Sequence, residues 1–172
     1  MLAEALRDLA AAESTVRTPI ADALAIRPAR RVTLVPVLRA GLALLEPAMR
    51  LLPETTRVGF LGIARDETTL RPSFYLERLP GDLADDEVVV LDVMLATGGS
   101  AVAAIDAVTS AGASRVRLAC LVAASEGVAA VHHAYPQVAI TVATVDERLD
   151  EHGFIVPGLG DAGDRLYGES SG

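Results

Sequence analysis

The stretch Val-Val-Val-Leu-Asp-Val-Met-Leu-Ala-Thr-Gly-Gly-Ser, residues 88–100, decides the fold. Its opening run is apolar and mostly β-branched, the pattern of a strand buried on both faces, and it ends on an acid, Asp92. A short loop then delivers Thr97, Gly98, Gly99 and Ser100 ahead of a segment in which Val102, Ile105 and Val108 recur at helical spacing. Strand, small-residue turn and helix N-terminus together predict a phosphate cradle. Glycine lets the backbone come close to an anion, and the first N–H groups of a helix have no partner within it. Asp92, at the carboxyl end of the strand, is placed to accept hydrogen bonds from sugar hydroxyls. The spacing reads as a ribose-phosphate site.

Competing loops fit less well. A Walker A loop needs a lysine, and all 15 basic residues here are arginine. A dinucleotide fingerprint needs G-x-G-x-x-G, whereas this loop is T-G-G-S. A plain turn before a helix accounts for T-G-G-S taken alone. The preceding V-V-V-L-D is what favours a ligand site over that turn.

Working outward, strands and helices alternate. RVTLVPV (31–37) reads as a strand, GLALLEPAMRLL (41–52) as a helix with Pro47 tolerable only near its first turn, and RVGFLGIA (57–64) as a strand. The segment 65–87 is polar, with two prolines, too irregular for a core element. Past residue 100 follow a helix to 111, a strand 115–123, a helix 126–134 and a strand 138–144. MLAEALRDLAAAE at the N-terminus reads as an amphipathic helix rather than a signal peptide, since charges interrupt its apolar residues. This alternation predicts one α/β domain over 1–172: a mostly parallel open sheet flanked by helices, with ligands beyond the carboxyl ends of the strands. Three segments besides the phosphate loop fall there: the residues after Val37, those after Ile63, and a Gly-rich tail from about 145 to 172.

Composition narrows the chemistry. A net charge of −8 and a pI near 4.8 argue against a nucleic-acid surface. A mean hydropathy of +0.38 without any apolar run near the roughly 20 residues of a membrane span predicts a cytoplasmic protein with no membrane partner. The absence of lysine excludes Schiff-base chemistry. Cys120 lies in an apolar run and reads as a core thiol, and His132, His133 and His152 form no zinc spacing. His152, beside the Gly-rich tail, reads as a structural histidine bonding that segment's backbone.

These motifs resemble the type I phosphoribosyltransferase family, in its uracil branch. The hydrophobic strand, the acid and M-L-A-T-G-G-S match that branch's loop for phosphoribosyl pyrophosphate (PRPP), with Val93 where proline is usual. V-P-V-L-R-A-G-L, residues 35–42, resembles its pyrophosphate loop, and R-D-E-T-T-L-R-P, from Arg65, its flexible active-site loop, with Ala64 where tyrosine is common. G-F-I-V-P-G-L-G-D-A-G-D, residues 153–164, resembles its uracil-recognition hood, with Phe154 for the usual tyrosine. The resemblance covers roughly 32–168. Only about 30 residues precede the first strand, where the family generally has a longer region including a dimer-forming arm.

The resemblance implies transfer of the phosphoribosyl group of PRPP to uracil, giving UMP and pyrophosphate. It implies PRPP contacts from Arg39, Arg65, Asp92, Val93, Met94, Leu95, Ala96, Thr97, Gly98, Gly99, Ser100 and Asp161, with Asp92, Arg39 and Arg65 catalytic. Uracil would meet Ile155, Gly160, Asp161 and Ala162. Mg²⁺ would arrive mainly through PRPP, with Asp161 as a possible ligand, and GTP as a possible activator of a homo-oligomer, dimer or higher. A non-catalytic PRPP or UMP sensor is the alternative. An RNA-binding regulator on the same fold is disfavoured by the acidic charge.

Overall fold

The structure, a computed structural model, describes residues 1–65 and 72–168. The chain opens with α1 (Leu2–Ala5), β1 (Ala11–Arg17), β2 (Asp22–Pro28), β3 (Val32–Leu38) and α2 (Leu42–Met49). It continues through β4 (Arg57–Val58), β5 (Phe60–Arg65), β6 (Pro72–Arg78), β7 (Glu87–Leu95) and α3 (Gly99–Ser110). β8 (Arg115–Ala124), α4 (Ser125–Ala134), β9 (Ala139–Asp146), β10 (Arg148–Leu149), β11 (Ile155–Val156) and α5 (Ala162–Tyr167) complete it.

β7 is central, as its sequence requires. The main sheet runs β6-β5-β3-β7-β8-β9, with β4 also beside β3. Every pairing in it is parallel except β5–β6. Both faces of β7 are buried. Val88 and Val90 pack with Ile105 and Val108 of α3 and Val131 of α4, while Val89, Leu91 and Val93 pack with Leu44 and Ala48 of α2 and Ala5 of α1. Helices on both faces of a mainly parallel sheet are the architecture the alternation predicts. Cys120 is fully buried in the core, as expected.

Four local readings change. The expected N-terminal helix stops at Ala5, and Ala11–Arg17 instead pairs antiparallel with Asp22–Pro28. Ladder hydrogen bonds to a segment further along the chain override a local helical pattern there. Within the segment expected to be irregular, Pro72–Arg78 forms the edge strand β6, paired to β5. The strand expected over 57–64 is broken between Val58 and Phe60 into β4 and β5. Pro47 lies inside α2 rather than in its first turn, and the helix ends two residues later, so little ladder beyond the missing amide is lost.

The amino ends of the strands are tied by a buried carboxylate. Asp86, fully buried just before β7, accepts from the Thr33 hydroxyl on β3, from Arg31 Nε at 3.0 Å and from the Arg57 guanidinium on β4. Arg57 also donates to the carbonyls of Gly81 and Asp82, at 2.9 and 2.8 Å. Burial alone would raise the Asp86 carboxyl, but these donors outweigh it and hold it below the usual carboxylate range. The opposite, carboxyl ends carry the site.

Candidate active site

A cavity of about 1030 Å³ opens at the carboxyl ends of β3, β5 and β7. Arg39, Asp92, Met94, Ala96 and Ser100 reach it from the sheet side, and Ile155, Gly160, Asp161 and Ala162 from the Gly-rich tail. Ala64, after Ile63, lines it too, so residues from all four segments singled out in the sequence share one space. Val93 and Leu95 turn into the core, 3% and 2% exposed, so only their backbone can meet a ligand. Arg65 ends β5, where its backbone pairs with Pro72, while the loop 66–71, expected as the flexible cover, lies outside the described residues.

The phosphate loop is built as its glycines demand. Gly98 takes φ +84°, in the left-handed region, and turns the chain into α3. No side chain caps α3, and no acid stands in its first turn. The Thr97 hydroxyl accepts weakly from the Gly99 N–H, at 3.5 Å. An uncapped helix N-terminus bordered by glycines offers N–H donors and the positive end of the dipole to an anion.

Asp92 stands beside it. Its carboxylate accepts from the Val93 N–H at 2.7 Å, and Met94 supplies a second backbone donor. Burial dominates over these donors and pushes the carboxyl up to about 7. It can therefore change charge near neutral pH, and as a carboxylate it can take further hydrogen bonds from a polar ligand.

Arg39 comes from the loop after β3. Gly41 makes that loop possible, because a Cβ there would lie 2.2 Å from the Leu91 carbonyl oxygen. The guanidinium donates to Asp164 Oδ1 at 2.6 Å and to the Gly168 carbonyl at 3.1 Å. Asp164 thereby holds Arg39 above its ordinary range. A guanidinium has five N–H donors, and these contacts use only part of them.

The tail is braced by carboxylates. Asp150 Oδ1 accepts from the N–H groups of His152 and Phe154, at 2.9 and 2.8 Å, and Asp146 accepts from Gly158 N–H at 2.9 Å. Asp161 caps α5 by accepting from Asp164 N–H at 2.9 Å. The brace expected of His152 is therefore supplied by Asp150. The His152 ring is 73% exposed and lies 3.5 Å from Glu151 instead. The Asp followed at short range by His-Gly-Phe was a readable Asx-turn signal.

Sequence reasoning also missed Tyr75. It projects from β6 over Gly62, where a Cβ would come within 2.4 Å of its ring, and it lines the cavity near Arg39. Its strand sits at an exposed edge, so no burial pattern marked it.

The fit to Mg²⁺ can be judged from the donors. Among the described residues no three ligating side chains cluster as a metal cage. Asp161 is exposed at the cavity wall. A single carboxylate of this kind suits Mg²⁺, which keeps several waters and is usually held by one or two carboxylates together with substrate phosphates.

Comparisons with known proteins identify the family. Residues 1–169 match the family described as uracil phosphoribosyltransferase. The chain is 51% identical to the uracil phosphoribosyltransferase of Brevibacillus brevis, over 96% of this chain and 79% of that one. It is 52% identical to that of Symbiobacterium thermophilum, over 98% and 80%. A solved structure from Aquifex aeolicus superposes with a TM-score of 0.91 at 42% identity, covering 99% of this chain and 82% of the other. A purine phosphoribosyltransferase from Pyrococcus horikoshii, at 20% identity and a TM-score of 0.54 over 69% and 72% of the two chains, shares the fold.

Proposed function

The chain belongs to the uracil phosphoribosyltransferase family, and from that premise we propose how its cavity carries out the transfer. The enzyme moves the phosphoribosyl group of PRPP to uracil, giving UMP and pyrophosphate in pyrimidine salvage. The observation that carries the assignment of roles is the convergence of Asp92, the uncapped start of α3 and the 160–162 backbone on one cavity. A sensor without turnover has no comparable support, since the relatives are named for the transferase.

In this reading the N–H groups and hydroxyls of Thr97–Ser100 hold the 5′-phosphate, joined by the backbone of 93–96. Asp92 accepts from the ribose hydroxyls and fixes the sugar. Arg39 and Arg65 face the pyrophosphate, where planar donors match phosphate oxygens. Ile155 and the backbone of Gly160, Asp161 and Ala162 present the uracil edge-on to C1′. The uracil N1 forms its bond to C1′ as the C1′–oxygen bond to pyrophosphate breaks, its N1 proton passing to the departing pyrophosphate, and positive charge develops on the ribose. The arginines stabilise the departing charge, and holding both reactants in line removes a large entropic part of the barrier, about 7–11 kcal/mol in favourable cases. Water must be kept out, or PRPP would hydrolyse. Asp161 would hold Mg²⁺ together with PRPP, and the ion would supply charge neutralisation on the pyrophosphate.

One phosphoribosyltransferase domain over the chain rests on the alternation of strands and helices, a cytoplasmic location on composition, and a GTP activator on the family resemblance. A homo-oligomer of two or more copies has a surface to build on. The hairpin β1–β2 exposes Ile20, Leu24 and Ile26, at 90%, 73% and 75%. Leu24 and Ile26 share one face of β2, two residues apart. Each apolar side chain buried in an interface is worth about 1.5–3 kcal/mol, and a two-fold interface counts every substitution twice. Replacing both with serine is expected to shift sedimentation velocity from the oligomer to the monomer at micromolar chain concentration.

The functional reading is tested by incubating the purified chain with PRPP, Mg²⁺ and labelled uracil, cytosine or hypoxanthine. UMP from uracil, with no product from the other bases, is expected. PRPP binding without UMP would return the sensor, and product from hypoxanthine would overturn the assigned base contacts.

A further inference from the structure

Gly127, the third residue of α4, is buried and lies outside the cavity lining, yet it fixes the phosphate loop. A Cβ there would sit 2.4 Å from the Ala96 carbonyl oxygen and 2.6 Å from that of Leu95. Both are backbone atoms and cannot swing aside as a side chain would. One turn further on, Ala130 meets Gly98 in the same way. A Cβ on Gly98 would lie 2.8 Å from Ala130 Cβ and 3.0 Å from the Gly127 carbonyl oxygen. The loop from Leu95 to Gly98 therefore rests directly on the first turns of α4. The contact continues toward the tail, because Ala96 and Met94 pack with Leu149 and Ile155 around Val122 and Ala124.

We propose that Gly127 and Ala130 are positioning residues for PRPP: by letting α4 come so close, they set the height at which the loop's N–H groups meet the 5′-phosphate. The inference rests on reading Thr97–Ser100 as the 5′-phosphate site. Because the floor touches the loop from behind, disturbing it changes where the donors point without substituting any ligand-contacting residue.

Steady-state kinetics with PRPP and uracil varied separately test this. In Gly127→Ala the carbonyl of Ala96 must retreat by about 0.6 Å to reach the 3.0 Å that real Cβ contacts keep. A misplacement near 1 Å can cost about 100-fold, so KM for PRPP is expected to rise about 10- to 100-fold while KM for uracil changes less than about 3-fold. Ala130→Val, which presses on Gly98 from the same side, is expected to raise KM for PRPP in the same sense. Ala129→Val, on the exposed side of α4, is expected to leave both constants unchanged. If Gly127→Ala does not fold, Ala130→Val decides by the same criterion.

Unchanged KM for PRPP in a folded variant would overturn the proposal. So would a loss shared equally by both substrates, which is what a merely structural glycine would produce. Thr97→Ala and Ser100→Ala separate this failure from that of the underlying reading. If they raise KM for PRPP and the α4 variants do not, only the positioning role is lost. If they too have no effect, the loop is not the phosphate site.

Discussion

Asp92→Asn is expected to lower kcat/KM for PRPP by about 10² to 10⁴-fold while making the protein more stable at pH 8. The loss follows from charge. A carboxylate accepting from two ribose hydroxyls makes hydrogen bonds worth about 1.5–3 kcal/mol each, and an amide presents one acceptor oxygen and an unwanted donor. The gain in stability follows from the same burial. The Asp92 carboxyl titrates near 7 in the folded chain against an ordinary 3.8, so the folded state binds its proton more tightly than the unfolded one. Its contribution is most favourable below 3.8, declines as pH rises toward 7, and is lost above that. Asparagine carries no such charge. The wild-type kcat/KM for PRPP should correspondingly fall as pH drops through about 7, since the free enzyme must present the carboxylate. Initial rates and thermal midpoints for both proteins between pH 5.5 and 9, taken at about half-unit steps, read both effects. An Asn variant with wild-type kinetics would remove Asp92 from the ribose site.

Asp86→Ala should do the reverse, unfolding the molecule more easily with little change in chemistry. It strands the fully buried Thr33 hydroxyl and deprives Arg31 and Arg57 of their shared acceptor. Breaking a buried ion pair costs about 3–5 kcal/mol, and the low end applies because both arginines keep some contact with water. About 3 kcal/mol corresponds to a fall of roughly 6–12 °C in Tm for a chain of this size. The carboxyl is held below its ordinary value, so its stabilisation is present above 3.8 and is lost as pH falls through the depressed folded value. The gap between wild type and variant in urea unfolding should therefore narrow in acid. Because Asp86 lies at the amino ends of the strands, kcat at saturating substrates should stay within about 3-fold of wild type wherever the variant is folded.

Burial decides what could be read in the sequence. The runs at 88–91 and 118–123 are continuous because both faces of their strands are covered. β6 and the hairpin β1–β2 are mostly exposed, so neither alternation nor a continuous run marked them. The N-terminal segment misled for the opposite reason: its local pattern is helical, while its partner strand lies further along the chain.

The site follows the same logic. T-G-G-S and G-L-G-D-A-G-D stood out because a backbone that approaches a ligand needs glycine at fixed positions, whereas Arg39 stood out only through the family resemblance of V-P-V-L-R-A-G-L. Tyr75 and Gly127 did not. One sits on a strand the pattern could not show, and the other matters only through atoms brought against it by the fold. Asp164, which holds Arg39, lies 125 residues away from it in the chain, a pairing no local motif encodes.

The most direct measurement is a crystal structure of the enzyme with UMP and pyrophosphate. The account predicts the 5′-phosphate on the N–H groups of Thr97–Ser100, the ribose hydroxyls on Asp92, and the base against Ile155 and the Gly160–Ala162 backbone. A nucleotide phosphate bound elsewhere, or a base turned away from the 155–162 segment, would contradict it.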